Sequence, residues 1–226
     1  MKKLLWFTLS VWLLATHSWG AYPDVAVVDN CTRANQGPPL TGHVNNGGSG
    51  WRVAFNICIP AGAGGYHGTS WNTSYGPDME GAITLNQVPA VGTYNGLFVR
   101  LQTANNSGSD RYELDLVPVT GANNDELTVW KCVSSVSTQL GATYSLGVDL
   151  AVSDVIGLRA VGTTITPFRN GSALATRTDS AVSGAGYVGF QGDPATPQTY
   201  INAFYAGTIV SASVAVPSQT TLGVGQ

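Results

Sequence analysis

Residues 154–190 read DVIGLRAVGTTITPFRNGSALATRTDSAVSGAGYVGF, and their reading decides the fold. A largely apolar run over 155–160 meets a turn at Val161-Gly162, and a second run ends at Arg169. Asn170-Gly171 then returns the chain into a third extended run over 172–176. Asn-Gly between extended runs is a strong hairpin signal, because a type I′ turn holds both central residues at positive φ. After a loop over 179–186, residues 187–190 supply a fourth strand. The stretch predicts an antiparallel β fold with the remaining strands laid beside it. Pro167 has no N–H to give a ladder, so it belongs at an edge or at a position where no bond is needed. Arg159, Arg169, Arg177 and Asp179 form no catalytic set, so the stretch speaks for architecture and not for chemistry.

Working outward, the same pattern repeats. Residues 24–32 (DVAVVDNCT) make a first strand, and residues 51–59 (WRVAFNICI) a second with Trp51, Val53, Phe55, Ile57 and Ile59 on one face. Such period-two alternation marks a half-buried strand. Further strands are expected over 79–88, 97–103, 111–119, 127–133 and 139–146, with one or two closing strands in 200–216. Trp51 and Trp130 fall within alternating strands and read as core. No helical period stands out. About a dozen short strands separated by turn signals imply an all-β, two-sheet antiparallel sandwich or jelly roll.

The beginning of the chain reads differently. Lys2 and Lys3 precede an apolar run over 4–15 and small residues at Ser18 and Gly20, the pattern of a secretory signal peptide over residues 1–20. The run is shorter than the roughly 20 residues a membrane helix needs, so no membrane span is expected. A single sandwich domain would then occupy 21–216, with a frayed tail over 217–226. Beyond the leader, eight basic residues face thirteen acidic ones, a net charge of about −5. Sparse charge without a basic cluster argues against nucleic acid as a partner.

Three cysteines, at 31, 58 and 132, suit an exported chain with one disulfide and one thiol left over. Cys31–Cys58 is the favoured pair, stapling the first strand to its follower, although spacing leaves the pairing open. No zinc motif is present, and His43 and His67 lie in Gly-rich loops without a signature.

Taken in order, the segments DNCTRANQGPPL, GWRV, GGYHGTSWN, GPDMEGAITL, NGLFVRLQ, RYELDLV and DVIGLRAVG with RNGS and SGAGYVGF extend over residues 24 to 210. Their sequence and spacing resemble the concanavalin A-like lectin/glucanase domain, in its laminin-G-like form, of bacterial and phage extracellular proteins. The resemblance implies two packed, curved antiparallel sheets, one convex and one concave. It also implies two departures. Cys31 stands where such domains place a core Phe, and Asn202 stands where the closing strand often has Asp, which weakens an inherited calcium site.

Two groups of residues could carry chemistry. Glu113 and Asp115, two apart on a strand, share a face, and paired carboxylates are what glycoside hydrolysis uses. The related β-glucanases carry a third carboxylate on that strand, and Val117 and Pro118 occupy its positions here. The alternative is a solvent-facing pair on an amphipathic strand. The loop with Tyr66, Trp71, Asn72 and Tyr75 suits sugar binding, since aromatic rings stack on C–H faces while amides bond hydroxyls. Its alternative is Trp71 buried at a strand start. Asp78 with Glu80, or Asp24 with Asp29, could serve a structural calcium ion; no other cofactor is expected.

The resulting expectation is a secreted, non-enzymatic module that binds glycan or another extracellular surface. A structural subunit of a self-associating extracellular assembly (filament, surface layer or virion) is the alternative, and a divergent glycoside hydrolase or lyase a lesser one.

Overall fold

The computed structural model describes residues 22–62, 67–93, 95–104, 108–193 and 200–210. The predicted leader, the tail and Tyr66 lie outside the described residues. In chain order the strands are β1 (Val27–Asp29), β2 (His43–Gly47), β3 (Trp51–Ala54), β4 (Ile57–Pro60), β5 (His67–Trp71) and β6 (Met79–Gln87). They continue as β7 (Asn95–Leu101), β8 (Arg111–Val117), β9 (Glu126–Val133), β10 (Val136–Gln139), β11 (Tyr144–Ser145) and β12 (Val155–Val161). The last are β13 (Thr164–Arg169), β14 (Ser172–Ala173), β15 (Arg177–Thr178), β16 (Tyr187–Gly192) and β17 (Tyr200–Thr208). All pairings are antiparallel, and the strands form two sheets packed as a sandwich. The first runs β14-β13-β12-β6-β17-β4-β3, with β1 on β17 and β15 on β13. The second runs β10-β9-β8-β7-β16-β5-β2, with β11 on β9. Among the described residues no helix is long and apolar enough to cross a membrane.

Alternation decides which side chains meet between the sheets. Ile83, Leu85, Ile156, Leu158 and Phe204 face inward from the first sheet, and Leu97, Val99, Leu114, Leu116, Leu127, Val129 and Phe190 from the second. Each such burial contributes roughly 1.5–3 kcal/mol. Phe190 lies edge-on to Trp51 and Phe204, with centroids at 4.6 and 4.9 Å, which ties the two layers at their centre. The Cys31–Cys58 disulfide is formed, with Cα atoms 5.4 Å apart, and it links the end of β1 to β4 inside this core.

Three expectations are corrected. Residues 51–59 are not one strand but the hairpin β3–β4, because Phe55 and Asn56 both take positive φ (54° and 62°). Phe55 is therefore 87% exposed and does not join Trp51 and Val53 in the core. The run over 139–146 is likewise divided: Ser134 and Ser135, at φ 51° and 64°, turn β9 into β10, and the short β11 follows. His43 and His67 open β2 and β5 as buried residues and do not lie in loops. Pro167 pairs with Leu158 on β12 and turns its N-side toward β14 and β15, between the registers those two short strands occupy. Leu174 N–H donates to its carbonyl across that interval (2.9 Å). The missing donor thus faces a break in the ladder, as its chemistry requires.

The outward face of the first sheet is covered by its own chain. Tyr22 stacks on Phe168 (centroids 4.6 Å, 19°), with its hydroxyl set directly over Gly157. The Asp24 carboxylate meets Arg159, and Asp24 N–H donates to Glu80 Oε1 (3.1 Å). Val25 rests on Gly207, and Val27 enters the β17 register. Residues 22–26 therefore cross β13, β12, β6 and β17 as an arm.

Candidate functional site

The outward face of the second sheet is built by the residues that alternation turns away from the core. Register places Thr128, Asp115, Gly96 and Gln191 side by side across β9, β8, β7 and β16. The next row holds Trp130, Glu113, Phe98 and Gly189. Trp130 is thus not core: Leu127 and Val129 take the inward positions of β9, while Trp130 is half-buried on the other side. Its indole N–H donates to Thr128 Oγ1 two residues back (2.9 Å). Trp130 lines a cavity of about 370 Å³ together with Asp115, Thr128, Glu126, Thr143, Val117 and Pro118.

Glu113 and Asp115 share this face, as their spacing requires, and both lean over Gly96. A Cβ on Gly96 would lie 2.6 Å from Glu113 Oε1 and 2.8 Å from Asp115 Oδ1. Glu113 is only 5% exposed. Arg111 grips its Oε2 through Nε (3.0 Å) and Nη2 (2.8 Å), and Gln191 Nε2 donates to Oε1. Burial first, and then the neighbouring Glu113 carboxylate to which it is hydrogen-bonded, push the Asp115 carboxyl well above the usual range. The raised carboxyl of Asp115 thus sits beside a Glu113 whose oxygens are held by Arg111 and Gln191.

The loop residues expected to bind sugar divide. Trp71 closes β5, half-buried, its ring backed by Gly42 and edge-on to His43 at 5.0 Å. It lines a separate cavity of about 360 Å³ with Val27, Val28, Asp29, Asn30, Arg33 and Thr41. Asn72 is exposed, and its N–H donates to Gly42 O (2.8 Å). Tyr75 packs against the core and pairs with Gly186 through both backbone groups, and burial raises its phenol pKa.

The carboxylates considered for calcium are engaged by cations. Asp78 accepts Gly162 N–H (2.8 Å) and lies 3.7 Å from Arg100 Nη2. Glu80, wholly buried, meets Arg159 together with Asp24. Among the described residues the one group of three ligand-type side chains close enough to share an ion is Asp29, Cys31 and Cys58. Its two sulfurs are joined to each other and are not thiolates.

No protein-family model matches the sequence, and none of the curated proteins matches it. Solved structures do match in fold. The carbohydrate binding module CBM66 from Bacillus subtilis superposes with TM-score 0.50 at 16% identity, covering 75% of this chain and 94% of that one. The carbohydrate recognition domain of Emp46p, in a potassium-bound form, gives 0.57 at 9% identity, with 81% and 97% covered. A prokaryotic β-1,3-1,4-glucanase (lichenase) derived from a mouse hindgut metagenome gives 0.51 at 10%, with 70% and 83% covered. The chain is thus a two-sheet β-sandwich of the lectin and glucanase architecture, a fold that hosts both binding and hydrolysis.

Proposed function

We propose that the protein is a secreted, non-enzymatic recognition module that binds carbohydrate on the outward face of the second sheet. The observation that carries this reading is Trp130, half-buried in the wall of a cavity among hydroxyl and carboxyl groups. A sugar ring offers C–H faces for an indole and hydroxyls for Thr128, Thr143 and Asp115, and a mostly apolar cavity with a few convergent polar groups is the usual form of a ligand site. The carbohydrate binding module and the carbohydrate recognition domain among the matching folds support it. Secretion is supported by the basic-apolar leader and by the disulfide, which an oxidising compartment maintains. The non-enzymatic part rests on Glu113, whose oxygens are both engaged, and on Val117 and Pro118 where a third carboxylate would stand.

One observation favours hydrolysis as a second reading. Glu126 faces Val117 across the β8–β9 ladder, so a carboxylate diagonal to Asp115 does enter the cavity from the neighbouring strand. A panel of neutral polysaccharides tested by affinity electrophoresis, with Trp130→Ala beside the natural protein, decides the first reading. Retardation lost in the variant is expected, and equal retardation of both would refute it. Release of reducing ends that disappears with Glu126→Gln would replace binding with hydrolysis.

A further inference from the structure

The Trp71 cavity is distinct from the Trp130 cavity. It opens between β1 of the first sheet and the end of β5 of the second, and shares no lining residue with the other. Its polar wall is organised by Asp29. Asp29 Oδ1 accepts Cys31 N–H (2.8 Å) and Arg33 Nη1, and Oδ2 accepts Arg33 Nη2 (2.9 Å) and His43 Nε2 (3.1 Å). Burial alone would raise this carboxyl, but the bonds from His43 and Arg33 outweigh it and hold the group ionised, well below the usual range. Burial also keeps His43 below its ordinary value and so neutral near pH 7. The acceptors of Asp29 are thereby spent, and its charge is cancelled by Arg33.

What remains toward the cavity is a set of donors. A guanidinium carries five N–H groups, and Arg33 uses one on Gln36 Oε1 (2.9 Å) and two on Asp29, leaving two on a side chain that is 29% exposed. Asn30 accepts Thr32 N–H through Oδ1 (3.1 Å), which leaves its NH₂. Thr41 Oγ1 accepts Gln36 Nε2 (2.7 Å), which leaves its proton. Beside these donors stands the Trp71 ring, held in place by Gly42 and His43. The Trp130 cavity is built in the opposite sense, with Asp115 and Glu126 and no cation in its wall.

We propose that the Trp71 cavity is a second carbohydrate site, one that takes an acidic sugar, with a uronic acid ring on Trp71 and its carboxylate received by Arg33, Asn30 and Thr41. Charge-assisted bonds to a guanidinium edge are the strong kind, and they single out a carboxylate from a neutral hydroxymethyl group. The inference does not depend on the Trp130 reading.

Calorimetric titration of the full chain with a galacturonic acid trimer, and with the neutral galactose trimer as control, tests it. The acidic trimer binds, and its affinity falls as salt rises; the neutral trimer does not bind at this cavity. Trp71→Ala weakens the acidic trimer at least tenfold, Thr41→Val a few-fold, and Trp130→Ala leaves it unchanged. Trp71 also packs on the core, so Thr41→Val decides the matter if Trp71→Ala does not fold. Absence of acidic-trimer binding by the natural protein would overturn the proposal. So would binding abolished by Trp130→Ala, or binding indifferent to Thr41→Val.

Discussion

Trp130 and Trp51 provide a paired experiment. Trp51 is wholly buried and its indole N–H donates to His67 O (2.6 Å), so truncation leaves a large void and an unpaired carbonyl. Trp51→Ala should cost about 3–5 kcal/mol of stability, the usual range for a core aromatic. Trp130 keeps one side toward solvent and bonds only Thr128, whose hydroxyl water can satisfy. Its truncation should cost no more than about 1 kcal/mol of stability, as for ordinary half-exposed positions. In binding the ranking reverses. A stacked tryptophan at the centre of a site is worth about 2 kcal/mol or more when truncated, which is roughly a 30-fold weakening at about 1.4 kcal/mol per tenfold. Urea unfolding of both variants, with calorimetric titration of Trp130→Ala against a glycan the natural protein binds, measures the two quantities. The reasoning fails if Trp130→Ala loses as much stability as Trp51→Ala, or if the glycan affinity is unmoved.

Three further outcomes follow from the geometry. Asp115 has a raised carboxyl pKa, so the folded chain holds its proton where the unfolded chain releases it, and stability falls as pH rises above about 4 toward the raised value. Asp115→Asn removes that titration; its advantage in urea unfolding should be absent below about pH 4 and grow as pH rises, and a pH-independent difference would contradict the raised carboxyl. The Cys31–Cys58 bridge spans 27 residues, which by loop-closure entropy stabilises the fold by about 3.5 kcal/mol. The double Cys→Ala chain should fall short by about that much in urea, and an unchanged midpoint would argue against the entropic account. Phe55 stands at φ 54° on a turn tip with its side chain in water. Phe55→Asn should relieve about 1 kcal/mol of backbone strain and raise Tm by about 2–4 °C, with no rise as the contrary result.

Most of the architecture was legible because alternation and turn residues speak locally. The turn at Asn170-Gly171 stands as read, with β13 and β14 in register through Phe168–Ala173 and Arg169–Ser172, but the third strand read over 172–176 stops at Ala173. The β3–β4 reversal was hidden because Phe55, at the first turn position, gives no sign of positive φ, and Asn56 alone without a following Gly is a weak one. In a two-residue hairpin Val53 pairs with Cys58, so the facing residues switch parity along the chain, and a one-strand reading puts Phe55 inside. Trp130 was misplaced for a related reason. Leu127, Val129 and Val133 share one parity and Thr128, Trp130 and Cys132 the other, so both faces of β9 contain apolar residues. Thr128 was the available sign of which face meets water. The Glu113–Asp115 pair was read correctly as neighbours on one face, but the clamp of Arg111 and Gln191 was not, since Gln191 arrives from β16, 78 positions away. Trp71 was legible as an aromatic near a loop, whereas its partners Arg33 and Thr41 come from a segment with no periodic signal.

The arm of residues 22–26 gives the molecule a front and a back. The two sheets of a sandwich are in principle interchangeable platforms, yet here one is upholstered by tyrosine, aspartate and valine from its own chain. On the opposite face the chain at Ala104 and Gly108 covers Ser70 and Cys132, and Trp130 beyond it stays half-buried beside its cavity. A fusion partner or immobilising tag joined ahead of Tyr22 would emerge behind the molecule, so a surface coated through that junction would present its tryptophan outward, toward whatever flows past.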